Sequence, residues 1–185
     1  ETPVIRWLDD KEWSSCGYKI KRENSNFILS RVPLRRFEDL DTSSLNSIEV
    51  ISSDSEELEE AIISSIESIR HDRPTVHPGD IAVVFLEGSK ANYALADSLA
   101  VRIYEKYSWK AIKGYETKDS TSDAVFISNR NNIKGLEFPF VIGLVRCQIT
   151  DNVFSRNTIY MMLTRSFITS YFLVNNMDAN AEFIK

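Results

Sequence analysis

The chain has 185 residues, of which 43% are hydrophobic and 26% charged, with a formal net charge of −5. That length suits one ordinary domain, or one domain with an appendage, and the apolar fraction excludes a disordered chain. No apolar run approaches the roughly 20 residues that cross a bilayer, so no membrane partner is expected, and the acidic balance argues against a simple basic nucleic-acid binder without excluding a local basic face.

Residues 1–47 read as a small appendage and connector. "DDKEWSSCGY" predicts a short helix closed by Gly17. "YKIKREN" and "NFILSRV" are strand-like runs with "ENSN" turn chemistry between them, which predicts a hairpin. "PLRRFEDLDTSSLN" reads as an irregular connector.

Residues 48–185 alternate strand and helix. "IEVISS" is a short strand. "SDSEELEEAIISSIESIR" is a helix with Leu58, Ile62, Ile66 and Ile69 at helical spacing, and Ser53 with Glu56 has the spacing of a capping box. "DIAVVFL" is continuously apolar, as a strand covered on both faces should be. A second helix runs through Ala91, Leu95, Leu99 and Ile103, followed by a weaker strand at "WKAIKGY". "DAVFIS" and "FPFVIGLV" are strands, "SRNTIYMMLTRSF" a helix with Ser155 as its expected cap, and "SYFLVN" the last strand. In a regular helix Thr158, Met161, Met162 and Arg165 would share one face, with Ile159 and Leu163 turned to the core. The alternation predicts an α/β fold: an open parallel sheet with helices on both faces and right-handed crossovers. Neither GxGxxG nor GxxxxGK[ST] is present, so the chain carries no phosphate-binding loop of its own.

Cys16 and Cys147 are isolated, without a CxxC pattern, and fit a reducing, cytoplasmic setting better than a disulfide or zinc framework. His71 and His77 flank a Pro-containing loop with no thiol or acidic cluster near them in sequence, and no metal site is expected. No signal peptide is expected, and a start at Glu1 with an end at "AEFIK" suits a piece of a longer protein.

The stretch with the most chemistry is "NRNNIKGLEFPFVIGL". Asn129, Arg130, Asn131 and Asn132 offer hydrogen-bonding groups at the exit of a strand, where ligands of open α/β sheets sit. Lys134 adds a positive charge, and Gly135 permits a tight turn and close backbone approach. Glu137 can accept hydrogen bonds from a sugar hydroxyl or order a water. A solvated glycine turn accounts for the same residues. Arg165, near the end of "SRNTIYMMLTRSF", reads either as a surface arginine or as a guanidinium aimed at phosphate across an interface.

"NRNNIKGLEFPFVIGL" resembles motif V of the UvrD/Rep-type superfamily 1 helicases, commonly a Thr-x-His-x-x-Lys-Gly-Leu-Glu-Phe pattern. "RNTIYMMLTRS" is similar to their motif VI, with Arg156, Tyr160, Leu163, Thr164 and Arg165 in register. The stretch from "IEVISS" to "GDIAVVFLE" looks like the opening of their second RecA-like lobe, domain 2A, so the resemblance spans roughly residues 45–176. It implies a RecA-like lobe of an ATP-dependent DNA helicase. Arg165 would be the catalytic arginine finger, and Gly135, Glu137 and Arg165 would bind nucleotide. Asn129, Arg130, Asn131 and Lys134 would contact single-stranded nucleic acid, DNA above all. The implied partners are that strand and an N-terminal RecA-like lobe carrying the Walker A lysine. ATP and Mg²⁺ are the implied cofactors of the whole protein, and this chain alone would hold neither tightly. The pattern departs from the family at Asn129 and Asn131, where threonine and histidine are usual. The short segment between "IKGYE" and "DAVFIS" leaves no room for the large 2B insertion. Motif IV is not recognisable, Arg35 and Arg36 being its nearest candidates. Two other readings stay open: a helicase-like lobe that has lost catalysis and serves protein interaction, and an unrelated receiver- or Rossmann-like domain.

Overall fold

The computed structural model describes residues 10–15, 18–23, 26–31, 46–54, 56–117, 123–175 and 180. The chain divides into two compact units, Glu1–Ser43 and Ser44–Lys185. The first holds helix α1 (Asp10–Ser15) and strands β1 (Tyr18–Glu23) and β2 (Asn26–Arg31). β1 and β2 pair antiparallel from Tyr18↔Arg31 to Glu23↔Asn26, the hairpin expected from the two runs. Gly17, Cys16, Arg35 and Arg36 lie outside the described residues.

The second unit is an open α/β sheet of six parallel strands, the architecture expected for a RecA-like lobe. In chain order its elements are β3 (Ile48–Ser53), α2 (Leu58–Asp72), β4 (Ile81–Phe85), α3 (Lys90–Tyr107), β5 (Lys110–Lys113), β6 (Ala124–Asn129), β7 (Phe138–Val145), α4 (Val153–Leu163) and β8 (Ser166–Asn175). Spatially the strands run β3-β8-β7-β4-β6-β5. Every residue of β4, β6 and β7 is buried, which is why β4 reads as a continuous apolar run, while β6 ends in the buried polar pair Ser128 and Asn129.

Alternate residues of the strands serve opposite faces. Ala82, Val84, Val141, Val145, Phe172 and Val174 form one core with Ile159 and Met162 of α4. Ile81, Val83, Phe85, Ile142 and Leu173 point the other way, and α2 packs against β3, β7 and β8. Leu58, Ile62, Ile66 and Ile69 of α2 are all buried, as their spacing predicts, and Ile63 joins them. Each such side chain contributes about 1.5–3 kcal/mol relative to exposure.

Several helix details differ from the sequence reading. α2 begins at Leu58 with Glu57 as its N-cap and no side-chain cap bond, so the Ser53–Glu56 box is not made; Ser53 instead ends β3. On α3 the buried stripe is Asn92, Ala96, Leu99 and Ile103, while Ala91 is exposed and Leu95 half-buried. Asn92 takes the inner place because its amide donates to the Glu87 carbonyl at 2.9 Å. α4 is capped by Asn152, whose Oδ1 accepts from the Ser155 N–H at 2.8 Å, rather than by Ser155. Its buried side chains are Thr158, Ile159 and Met162. Met162 faces Gly143 of β7, where a Cβ would stand 2.6 Å from the methionine methyl, so the glycine lets α4 settle against the sheet.

Candidate functional site

Strand order decides how the candidate residues are grouped. β6 and β7 are parallel but not adjacent, with β4 between them. Residues 130–137 must therefore carry the chain from the carboxyl edge of the sheet back to its amino edge. Asn129 is level with Phe85, and Phe85 with Leu144, six positions along β7 from Phe138. At about 3.3 Å per residue the crossing covers roughly 20 Å. The sequence reading placed the whole loop at the carboxyl edge; only its first part lies there.

The crossing is pinned by its apolar residues. Ile133 is fully buried and Leu136 half-buried, both in the core under α4. Phe138 is buried at the far end and stacks on Phe126, with ring centroids 5.4 Å apart. Lys134, Gly135 and Glu137, interleaved with these anchors, are left on the surface. The Leu136 N–H donates to the Ile133 carbonyl at 3.1 Å, closing a turn with Gly135 at φ +81°. That φ at the third turn position is the reason for glycine there. A Cβ at Gly135 would meet nothing within 4 Å, so the backbone of this turn is open to an approaching group.

At the carboxyl edge Asn129 is buried and organises the exit from β6. Its Oδ1 accepts from the Asn131 N–H at 2.9 Å and from the Asn132 side-chain amide at 3.2 Å. That oxygen is thereby committed to the turn. Arg130 continues the ladder by donating its N–H to the Phe85 carbonyl, and its guanidinium lies 4.9 Å from the Phe154 ring centroid. Phe154, in the first turn of α4, is 63% exposed, so the edge presents an aromatic face beside a cation. Sequence reasoning missed Phe154, because a lone aromatic ahead of a helical stripe reads as core. Asn131 and Asn132 are exposed beside it. Nearby, burial together with the Glu87 carboxylate pushes the Cys147 thiol up to about 11, which leaves it a poor nucleophile.

Arg165 stands at the amino edge, in the turn between α4 and β8 and not on the helix face with Thr158 and Met162. Its backbone carbonyl accepts from the Phe138 N–H at 2.8 Å, and Phe138 pairs with Ser166 across β7 and β8. Glu137 and Arg165 thus lead into neighbouring strands side by side. The Arg165 Nε donates to the Met161 carbonyl at 3.1 Å, closing the end of α4. Among the described residues no carboxylate pairs with Arg165, and its terminal guanidinium nitrogens keep their donor capacity. Arg156, also in register with motif VI, is far from it at the start of α4, held by a two-point contact to Asp151 at 2.6 and 2.9 Å.

No protein-family model matches the chain, and no curated protein matches it. Among solved structures, the C-terminal domain of a possible DNA helicase from Lactobacillus plantarum WCFS1 is 16% identical, with 71% of this chain and 74% of that one covered, at a TM-score of 0.47. Domain 2 of the DEAD-box helicase Mss116p, bound to an RNA duplex, is 12% identical, with 70% and 54% covered, also at a TM-score of 0.47. At those values the likeness adds nothing to the site, which stands on its own residues. No helix among the described residues is long and apolar enough to cross a membrane, and no group of three or more His, Cys, Asp or Glu side chains among them is placed to hold a metal ion.

Proposed function

We propose that this chain is the second motor lobe of an ATP-dependent superfamily 1 helicase or translocase, acting with an N-terminal RecA-like lobe of the same protein. The observation that carries the reading is the hydrogen bond from the Phe138 N–H to the Arg165 carbonyl, which sets the ends of the two helicase-like stretches beside each other. Residues 130–137 then join two sites. Gly135, Glu137 and Arg165 lie toward or at the amino edge, where their donor and acceptor set suits a nucleotide: an open backbone turn, a carboxylate for a sugar hydroxyl and a guanidinium for phosphate oxygens. ATP, when bound, supplies the phosphoryl group, with Mg²⁺ held by the partner lobe. Arg165 would stabilise negative charge as it moves onto the leaving oxygen, and the Met161 carbonyl, holding Nε, would aim the terminal nitrogens outward.

Arg130 and Asn131 at the carboxyl edge would contact single-stranded DNA, with Lys134 on the crossing itself. Asn129 would act there by shaping the turn, since its oxygen is occupied by Asn131 and Asn132. Because the buried Ile133 ties the crossing to the core under α4, a shift at the nucleotide end would be transmitted to the strand end. The alternative, a lobe without catalysis that serves protein interaction, draws on the same commitments: an Asn129 oxygen used for structure and an Arg165 Nε used to close a helix. Steady-state ATP turnover by the full-length protein with Arg165→Ala separates the two. A fall in kcat of about 10³-fold or more supports the finger role, and unchanged turnover supports the alternative.

A further inference from the structure

On the α2–α3 side of the sheet, the last turn of α2 and the α3–β5 junction enclose an open groove of about 620 Å³, lined by Glu67, Arg70, His71, Pro74, Val76 and Trp109. Its wall sets one guanidinium over two aromatic rings that are tilted 47° to each other. The Arg70 guanidinium carbon is 4.4 Å from the Tyr107 ring centroid and 4.9 Å from that of Trp109, and the two rings are 5.6 Å apart. Glu67, one turn before Arg70, does not neutralise it, because its carboxylate pairs with Lys106 at 2.6 Å. Among the described residues Arg70 has no acidic partner. A guanidinium held over two aromatic rings has already lost much of its side-chain freedom and still offers its N–H fork. That is the preorganisation a bidentate carboxylate contact exploits.

We propose that this groove docks an acidic segment of a partner protein, an Asp or Glu carboxylate seating on the Arg70 fork and an adjoining apolar side chain resting on Pro74 and the Trp109 ring. Charge selects this occupant over a nucleic acid. The groove offers a single unneutralised fork, which matches one carboxylate. The C-terminal ends of α2 and α3 and the Glu67 carboxylate bring negative charge to its rim, which disfavours any polyanion and limits the contact to the one carboxylate on the Arg70 fork. Tryptophan, tyrosine and arginine together are also the residue types that anchor protein interfaces. The proposal does not depend on the helicase reading.

The test is an NMR titration of the 185-residue chain, reading the Trp109 indole N–H, assigned with Trp109→Phe. The probe is an end-blocked leucine peptide carrying one glutamate, with its glutamine counterpart and an eight-residue oligothymidylate as comparisons. The expected result is a saturable shift with the glutamate peptide only, weakened about tenfold or more by Arg70→Gln. Because Arg70 is exposed and loses only its contact with the two rings, that variant should keep the fold and melt within about 4 °C of wild type, which separates lost binding from lost structure. No saturable shift with the glutamate peptide, equal binding of the glutamine peptide, retained binding by Arg70→Gln, or a matching response to the oligothymidylate would each overturn the proposal.

Discussion

Asn129 and Arg165 each meet a structural demand as well as a proposed functional one, and the two can be measured apart. The Asn129 Oδ1 satisfies two donors at the end of a buried strand. Asn129→Ala should therefore cost about 0.5–1.5 kcal/mol of stability in the chain by itself, read by chemical denaturation, because it removes the acceptor that holds the turn. A residue that served only a ligand would leave stability unchanged. Arg156 and Asp151 form the corresponding pair at the start of α4. The guanidinium hydrogen bond, with its charge, holds the Asp151 carboxyl below the ordinary carboxylate range. The folded pKa is thus depressed, so the stabilising contribution is present above the unfolded value and is lost as pH falls through the folded one. Both side chains are exposed, so the loss is a small one at acid pH. Carbon-detected titration of Asp151 should show its midpoint rising toward the ordinary value in Arg156→Ala; an unchanged midpoint would mean that the pair is not formed in solution.

Among the elements, α4 links the two edges of the sheet. Asn152 caps its first turn near Arg130 and Phe154, and the Arg165 Nε closes its last. Asn152→Ala should cost about 1 kcal/mol and loosen the carboxyl edge first, seen as faster amide exchange at Phe154 and Ser155 than at Met162. Uniform exchange along the helix would contradict that order. The strands were legible in the sequence because buried parallel strands must be apolar throughout, as "IAVVF" and "FPFVIGLV" are. α2 was legible from its isoleucines. On α3, Leu99 and Ile103 are buried as expected, and only the first half of the stripe was misread by one position, because apolar spacing cannot foresee that Asn92 is buried and bonded to Glu87. The cap of α4 was missed because Ser155 and Asn152 are both capable caps and only the backbone path selects between them. The division of the candidate site escaped the sequence for a topological reason. Nothing local in "NRNNIKGLEF" reveals that β4 lies between β6 and β7, and hence that the loop crosses the sheet. The interleaving of Ile133, Leu136 and Phe138 with Lys134, Gly135 and Glu137 was the available clue.

For the whole molecule, the proposed reading implies that the two edges of the sheet do different work. The chain by itself should not turn over ATP, since it has neither a phosphate-binding loop nor acidic metal ligands in its sequence motifs. Robust ATPase that stays with the purified 185-residue chain through several columns would contradict this. The net charge of −5 further predicts weak strand binding by the chain alone, and on the proposed reading a second lobe would be needed to complete the channel. The most direct test of the two-edge account is made in the full-length protein: steady-state kcat for ATP, together with the Kd for single-stranded DNA at fixed salt, compared between wild type and Arg165→Ala. The account predicts that kcat falls by about 10³-fold or more while Kd stays within about threefold, because a guanidinium at the amino edge acts on the nucleotide and not on the strand. Turnover near the wild-type rate in Arg165→Ala would contradict it.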